Sequence, residues 1–132
     1  MKPFLAVLTL SVIFLSCTKE AVVVPQATQL FYKDGNIAVS SMKAVQTSSS
    51  TVTVSFATLY ENNIQKIEVM SGVTTTQLCT IGELDLPGNI SKPADYSVED
   101  TNLKGKVMYY MLRYTLNSGD WGYTPLVSVS VK

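Results

Sequence analysis

Along most of the chain apolar and polar residues alternate one for one, the period of a strand with one buried face. TVTVSFATL, from Thr51, sets Val52, Val54 and Phe56 on one side. VMYYMLRYTL, from Val107, sets Met108, Tyr110, Leu112 and Tyr114 on one side and Val107, Tyr109, Met111 and Arg113 on the other. PLVSVSVK closes the chain with Val127, Val129 and Val131 between serines. KIEVMS, TTQLCTIGEL and ADYSVED add shorter strand-like runs, and Asp34-Gly35 in LFYKDGNIAVS has the spacing of a tight hairpin turn. LDLPGNISKP and Asn117-Ser118-Gly119-Asp120 read as turns. No segment downstream of the N-terminus carries a long helical period. About seven strands at this spacing predict an all-β fold, an antiparallel two-sheet β-sandwich over residues 30–132.

The first 29 residues break the alternation. Met1-Lys2 is followed by an apolar run from Phe4 to Leu15, interrupted by Thr9 and Ser11 alone, and polar residues begin directly after Cys17. This is the layout of an export signal. It is shorter than the roughly 20 apolar residues of a spanning helix, and it lacks the polar face of a core helix. Leu15-Ser16-Cys17 resembles the bacterial lipoprotein box, with Phe14 where the box prefers Leu. The resemblance implies a signal peptide over 1–16, lipidation of Cys17, and a lipid anchor in the outer membrane. Acyl chains hold there because each buried methylene contributes about 0.8 kcal/mol. Residues 17–29 then form a tether, within which Val22–Val24 could instead add a short edge strand. Thr18-Lys19-Glu20 is partly similar to the signal for surface exposure in Bacteroidetes lipoproteins, so the cell surface and the periplasmic face both stay open.

Composition narrows the chemistry. The 132 residues suit one domain. Lys+Arg and Asp+Glu are balanced at 10 each, which argues against a nucleic-acid partner. Histidine is absent, removing the commonest general base and transition-metal ligand, so neither catalysis, cofactor nor metal is expected. Lipidation would take the Cys17 sulfur out of disulfide chemistry and leave Cys79, in LCTI, as a small strand residue with no histidine to activate it. Asp95, Glu99 and Asp100, with Glu83 and Asp85, come nearest to a carboxylate cluster, but they are spread over two segments, and a calcium site draws several oxygens from one loop. The alternative they leave is a small envelope hydrolase or ion-dependent enzyme using paired carboxylates; no motif marks a Ser-Lys pair.

The segment FATLYENNIQKIEVMSG is similar to a pattern found in fibronectin type III-like domains of exported Bacteroidetes proteins, with Phe56, Thr58, Glu61, Asn63, Ile67, Val69 and Ser71 in register. The similarity continues through Ile81-Gly82, Gly88-Asn89, Tyr96-Ser97 with Asp100, Gly105, Tyr109-Tyr110, Leu112 and Tyr123. Phe56 and Ile67 replace the family's Trp and Phe, and Met70 and Met111 replace arginines, so charge contacts of relatives do not carry over. Many relatives continue into a C-terminal sorting domain. Here the expectation is that lipidation sets location instead. The resemblance implies an immunoglobulin-like sandwich with structural roles for Phe56 and for Tyr109 or Tyr110, one of which ties its hydroxyl to nearby backbone. Trp121 and Tyr123, after Gly119-Asp120, are the candidate binding residues, placed to stack on a sugar ring or a partner's apolar patch. The expected partner is a protein or a glycan, unless the domain is an architectural spacer.

Overall fold

The computed structural model describes residues 32–132; the expected signal peptide, Cys17 and the tether over 17–29 lie outside the described residues. Eight strands follow in chain order: β1 (Tyr32–Lys33), β2 (Ile37–Ser48), β3 (Thr51–Gly72), β4 (Cys79–Ile90), β5 (Ala94–Asp100), β6 (Val107–Leu116), β7 (Trp121–Tyr123) and β8 (Val127–Ser130). Every pairing is antiparallel, and no described residue is helical. The all-β architecture that the alternation predicts is therefore present.

β3 organises the molecule. At 22 residues it is more than twice the length of an ordinary strand. Its first half lies between β2 and β5, its second between β4 and β6. β4 and β5, separated by residues 91–93 alone, together follow one edge of β3 along its length. β6 carries β7 and β8 on its far edge. All eight strands are thus joined in one continuous sheet, curled into a half-barrel, where the sequence led us to expect two separate sheets.

Two readings of the sequence are corrected here. The segments at 51–59 and 66–71 are one strand, because the turn-like Glu61-Asn62-Asn63 is absorbed as a bulged bend. Asn63 takes φ 56°, a left-handed conformation that asparagine tolerates, and the register slips between Asn62 and Ile64 and again before Lys66. The bend is held from outside: Asn89 Oδ1 accepts Asn63 N–H at 2.8 Å, and Asn63 O accepts Asn117 N–H at 2.7 Å. Likewise β4 runs through Pro87-Gly88, where turn chemistry suggested a break. β4 pairs with β3 alone, and on such an edge a residue without an N–H can be accommodated.

The curl encloses one core. Ile37, Val39 and Met42 of β2 meet Val52, Val54 and Phe56, then Ile64, Ile67 and Val69 of β3, then Met108, Tyr110, Leu112 and Tyr114 of β6 with Val127. Each large apolar side chain buried there contributes roughly 1.5–3 kcal/mol. β2 comes against β8 without pairing to it; the Gln46 amide bridges to the backbone of Lys132 instead, at 2.9 and 3.2 Å. A smaller apolar cluster of Met70, Leu78, Met111 and Leu126, flanked by Tyr109 and Tyr123, covers part of the outer face of the second half.

Three buried or half-buried carboxylates tie the layers. Glu61, 1% exposed, accepts Thr58 Oγ1–H and Tyr96 O–H on Oε1, both at 2.7 Å, and Tyr96 stacks on Phe56 with centroids 5.0 Å apart. Asp100, 2% exposed, accepts Ser71 Oγ–H at 3.0 Å, Tyr110 O–H at 2.8 Å and Asn102 N–H at 3.0 Å. Asp34 accepts the N–H groups of Asn36 and Ile37 at 2.7 and 2.9 Å, closing the expected turn, and also the hydroxyls of Tyr32 and Tyr114. Thr58, Glu61, Asn63 and Ser71 therefore each have a structural task inside β3.

Candidate functional site

The outer face of the second half collects the unusual side chains. Directly opposed residues of an antiparallel pair share a face, and the register aligns two rows across it. One row runs Asp85, Lys66, Thr115, Trp121; the next runs Glu83, Glu68, Arg113, Tyr123. The aromatic end is set by the β6–β7 turn, in which Leu116 N–H reaches Asp120 O at 2.7 Å, Gly119 N–H reaches Leu116 O at 2.9 Å, and Gly119 takes φ 92°. A Cβ at Gly122 would collide with the ring and hydroxyl of Tyr114 beneath it. With hydrogen there, Tyr114 lies under β7 and anchors to Asp34, while Trp121 and Tyr123 on either side project outward.

Trp121 is 52% exposed. The Arg113 guanidinium lies over its ring, 5.3 Å from the centroid, a stack worth about 0.5–1 kcal/mol at such a site. Arg113 Nε is 3.7 Å from Glu68 Oε2 and, although buried, has no hydrogen-bond acceptor; Thr115 Oγ1 beside it is also buried and unpaired. Glu68 itself is 8% exposed and is fixed by the Thr80 hydroxyl on Oε1 at 3.1 Å. Lys66 Nζ then bridges Glu83 at 3.3 Å and Glu68 at 4.0 Å. The result is a strip on the outer face: one exposed aromatic ring on the edge strand β7, followed by alternating donors and acceptors.

The other candidates fall elsewhere. Tyr123 is half-buried at the margin of the strip, against the Met70–Met111 cluster, as is Tyr109. Phe56 and Tyr110 are core residues, and Tyr110 donates to the Asp100 carboxylate where a backbone acceptor was expected. Burial foremost, then the bond to Asp100 and its charge, push the Tyr110 hydroxyl well above the usual tyrosine range. Cys79 opens β4, a strand residue as expected, but it is exposed and disulfide-bonded where a buried or half-buried thiol was expected; that expectation followed from assigning the other sulfur to acylation. Asp100 is internal, whereas Asp95, Glu99, Glu83 and Asp85 are exposed. Among the described residues no three His, Cys, Asp or Glu side chains converge as a metal site would require.

Two concavities accompany the strip. A shallow trough of about 430 Å³ crosses the outer face of the first half, lined by Ser41, Lys43, Ser55, Ala57, Asp95 and Ser97, with Phe56 and Tyr96 also at its wall; Asp95 is its one carboxylate. A smaller cavity of about 220 Å³ lies between the 73–78 and 101–106 connections, beside Ser71 and Asp100.

Sequence reasoning named Trp121 and Tyr123 as candidates and set Arg113 on the outward face of its strand, but it did not group Glu68, Lys66, Glu83 and Thr80 with them in one strip. Strand register alone assembles them, and no local motif encodes it.

No family model and no curated protein matches the chain. Among solved structures, wild-type OgpA from Akkermansia muciniphila is similar at 13% identity and TM-score 0.49; the match covers 78% of this chain and 30% of that one. The chain thus spans less than a third of that protein. A bromine derivative of BhCBM56 is similar at 17% identity and TM-score 0.41, covering 76% of this chain and 97% of the other.

Proposed function

We propose that this chain is a non-catalytic glycan-binding module, held at the bacterial outer membrane through a lipidated Cys17. The observation that carries the binding half is the exposed Trp121 ring, backed by Arg113 and continued by Glu68, Lys66 and Glu83 on an open sheet face. A sugar ring offers a C–H face that stacks on an aromatic and a rim of hydroxyls that donate to carboxylates and accept from cations. A protein hot spot would instead call for an apolar collar. The other large exposed apolar side chains lie apart from it: Val45 on β2, Leu59 on the first half of β3, Val73 in the connection after β3 and Val107 at the far end of β6. The open strip also suits a chain-like ligand better than a deep small-molecule pocket would. The test is a glycan microarray followed by calorimetry. Wild-type protein is expected to bind at least one polysaccharide class and Trp121→Ala to lose it; binding of no glycan, or binding indifferent to the substitution, would sink the reading.

The fibronectin type III-like relation belongs to this proposal. It is supported by the seven motif residues of β3, each with a structural task, and by the single core between the two halves of the curled sheet. The anchor is tested separately. Two cysteines in the chain make a thioether at Cys17 and the disulfide at Cys79 alternatives. Intact mass of the mature protein from its own envelope is expected to show the acylated form, and Cys17→Ala to give an unlabelled product with an alkynyl fatty acid. A mature chain with an intramolecular disulfide and no acyl mass would overturn the anchor and leave the glycan strip standing.

A further inference from the structure

We infer that the Trp121 strip selects uncharged glycans and rejects acidic ones, an inference that rests on the glycan reading above. The strip contains two cations, and each is already matched. Lys66 lies 3.3 Å from Glu83, and Arg113 lies 3.7 Å from Glu68. Two further carboxylates border them: Asp85 stands opposite Lys66 in the register, and Asp120 closes the turn directly before Trp121. Acids outnumber cations across the whole strip.

A uronate or sulfate entering it must either pull a cation away from its carboxylate or settle beside an unpaired one. Both cost energy that a hydroxyl does not incur. A neutral sugar needs neither step: its hydroxyls donate to Glu83 and accept from the Arg113 fork, whose planar donors are held in position by Trp121 on one side and Glu68 on the other. The trough on the opposite half does not share this arrangement, since among the described residues Lys43 there has no carboxylate within ion-pair distance. Selectivity of this kind is a difference between two binding energies and uses repulsion as much as attraction.

The experiment titrates the full mature protein at low salt against neutral polysaccharides (dextran, mannan, a soluble cellulose derivative without charge) and acidic ones (polygalacturonate, chondroitin sulfate). At least tenfold tighter binding of a neutral member is expected, equivalent to about 1.4 kcal/mol. In Glu83→Lys/Asp85→Lys the gap should narrow at least tenfold, through gain of acidic binding that fades as salt is added. An acidic glycan bound as tightly as any neutral one, with Trp121→Ala abolishing it, overturns the selectivity and leaves the glycan reading intact. No binding to either class overturns both.

Discussion

The two outer faces of this sheet are built on the same strand and differ in almost everything else. Over the first half of β3 the face is small and hydroxylated, with Ser55 and Ala57 flanked by Ser41 and Ser97 across a trough whose two aromatics, Phe56 and Tyr96, stack on each other and are buried and half-buried. Over the second half it is a strip of cross-linked charges ending in Trp121. Volume alone would choose the trough. Chemistry favours the strip for the proposed binding, because recognition needs an exposed apolar surface and fixed polar partners together: Trp121 is 52% exposed, whereas Phe56 at the trough is buried and Tyr96 half-buried. The strip is also held from below by Tyr114 on Asp34 and by Gly122, whereas the trough is the mere consequence of small side chains on three neighbouring strands.

The largest expected effect breaks the comparison directly. Trp121→Ala should weaken glycan binding by roughly 30-fold or more, the loss of a hot-spot aromatic, with little change in thermal midpoint, while Lys43→Ala in the trough should leave affinity within about twofold; isothermal titration on both variants decides it. Next, Gly122→Ala forces a methyl against the Tyr114 ring. It should cost about 1–3 kcal/mol in urea unfolding and, by displacing β7, weaken binding without touching a contact residue. Tyr110→Phe and Tyr96→Phe form a finer pair. Each removes one donor from a buried carboxylate, at about 1–2 kcal/mol, but Tyr110 lies on β6, the strand that carries Arg113 and Thr115, whereas Tyr96 lies on β5 beside the trough. Equal destabilisation with unequal loss of binding is the expected outcome.

The smallest effects are those of pH, and they separate the interior from both faces. Tyr96, Tyr110 and Tyr114 are all raised above the ordinary value, by burial first and then by their hydrogen-bonded carboxylates. Their contribution is complete below the unfolded value of about 10 and is lost as pH climbs above it toward the folded values. Asp34 runs the other way. Burial pushes its carboxyl up, but hydrogen bonds from Tyr114, from the Asn36 and Ile37 amides and from Tyr32 outweigh that and hold it below the usual range. Its contribution is present above about pH 4 and disappears as pH falls through the lowered folded value. Alkaline unfolding monitored by tyrosine absorbance should therefore show ionisation of Tyr96, Tyr110 and Tyr114 delayed until the fold is lost, a delayed fraction that the corresponding Phe variants reduce.

Alternation made the strand faces legible: Val52, Val54 and Phe56, and Met108 through Tyr114, lie inward as their spacing says. What the pattern concealed was continuity. Glu61-Asn62-Asn63 and Pro87-Gly88 have turn composition, yet one forms a bulge inside β3 and the other lies within an edge strand, because pairing on neighbouring strands overrides local preference. The candidate site divides in the same way. Trp121 stood out as an aromatic after a Gly-Asp turn, whereas Glu68 and Arg113 meet through β-pairing between segments far apart in sequence, a relation that no single stretch of residues expresses.

The shared strand also constrains how the chain acquires its shape. Four of the other strands dock on β3, and two of these, β5 and β6, arrive after a further hairpin or loop has been made. As the chain emerges from its N-terminal side, β2 and β3 can close at once across residues 48–51. The second half of β3 then stays open until β4 and β6 follow. Such distant pairings make folding slow relative to a helical protein of this size. The long middle strand thus acts as a waiting template, and the Trp121 strip is among the last surfaces to exist.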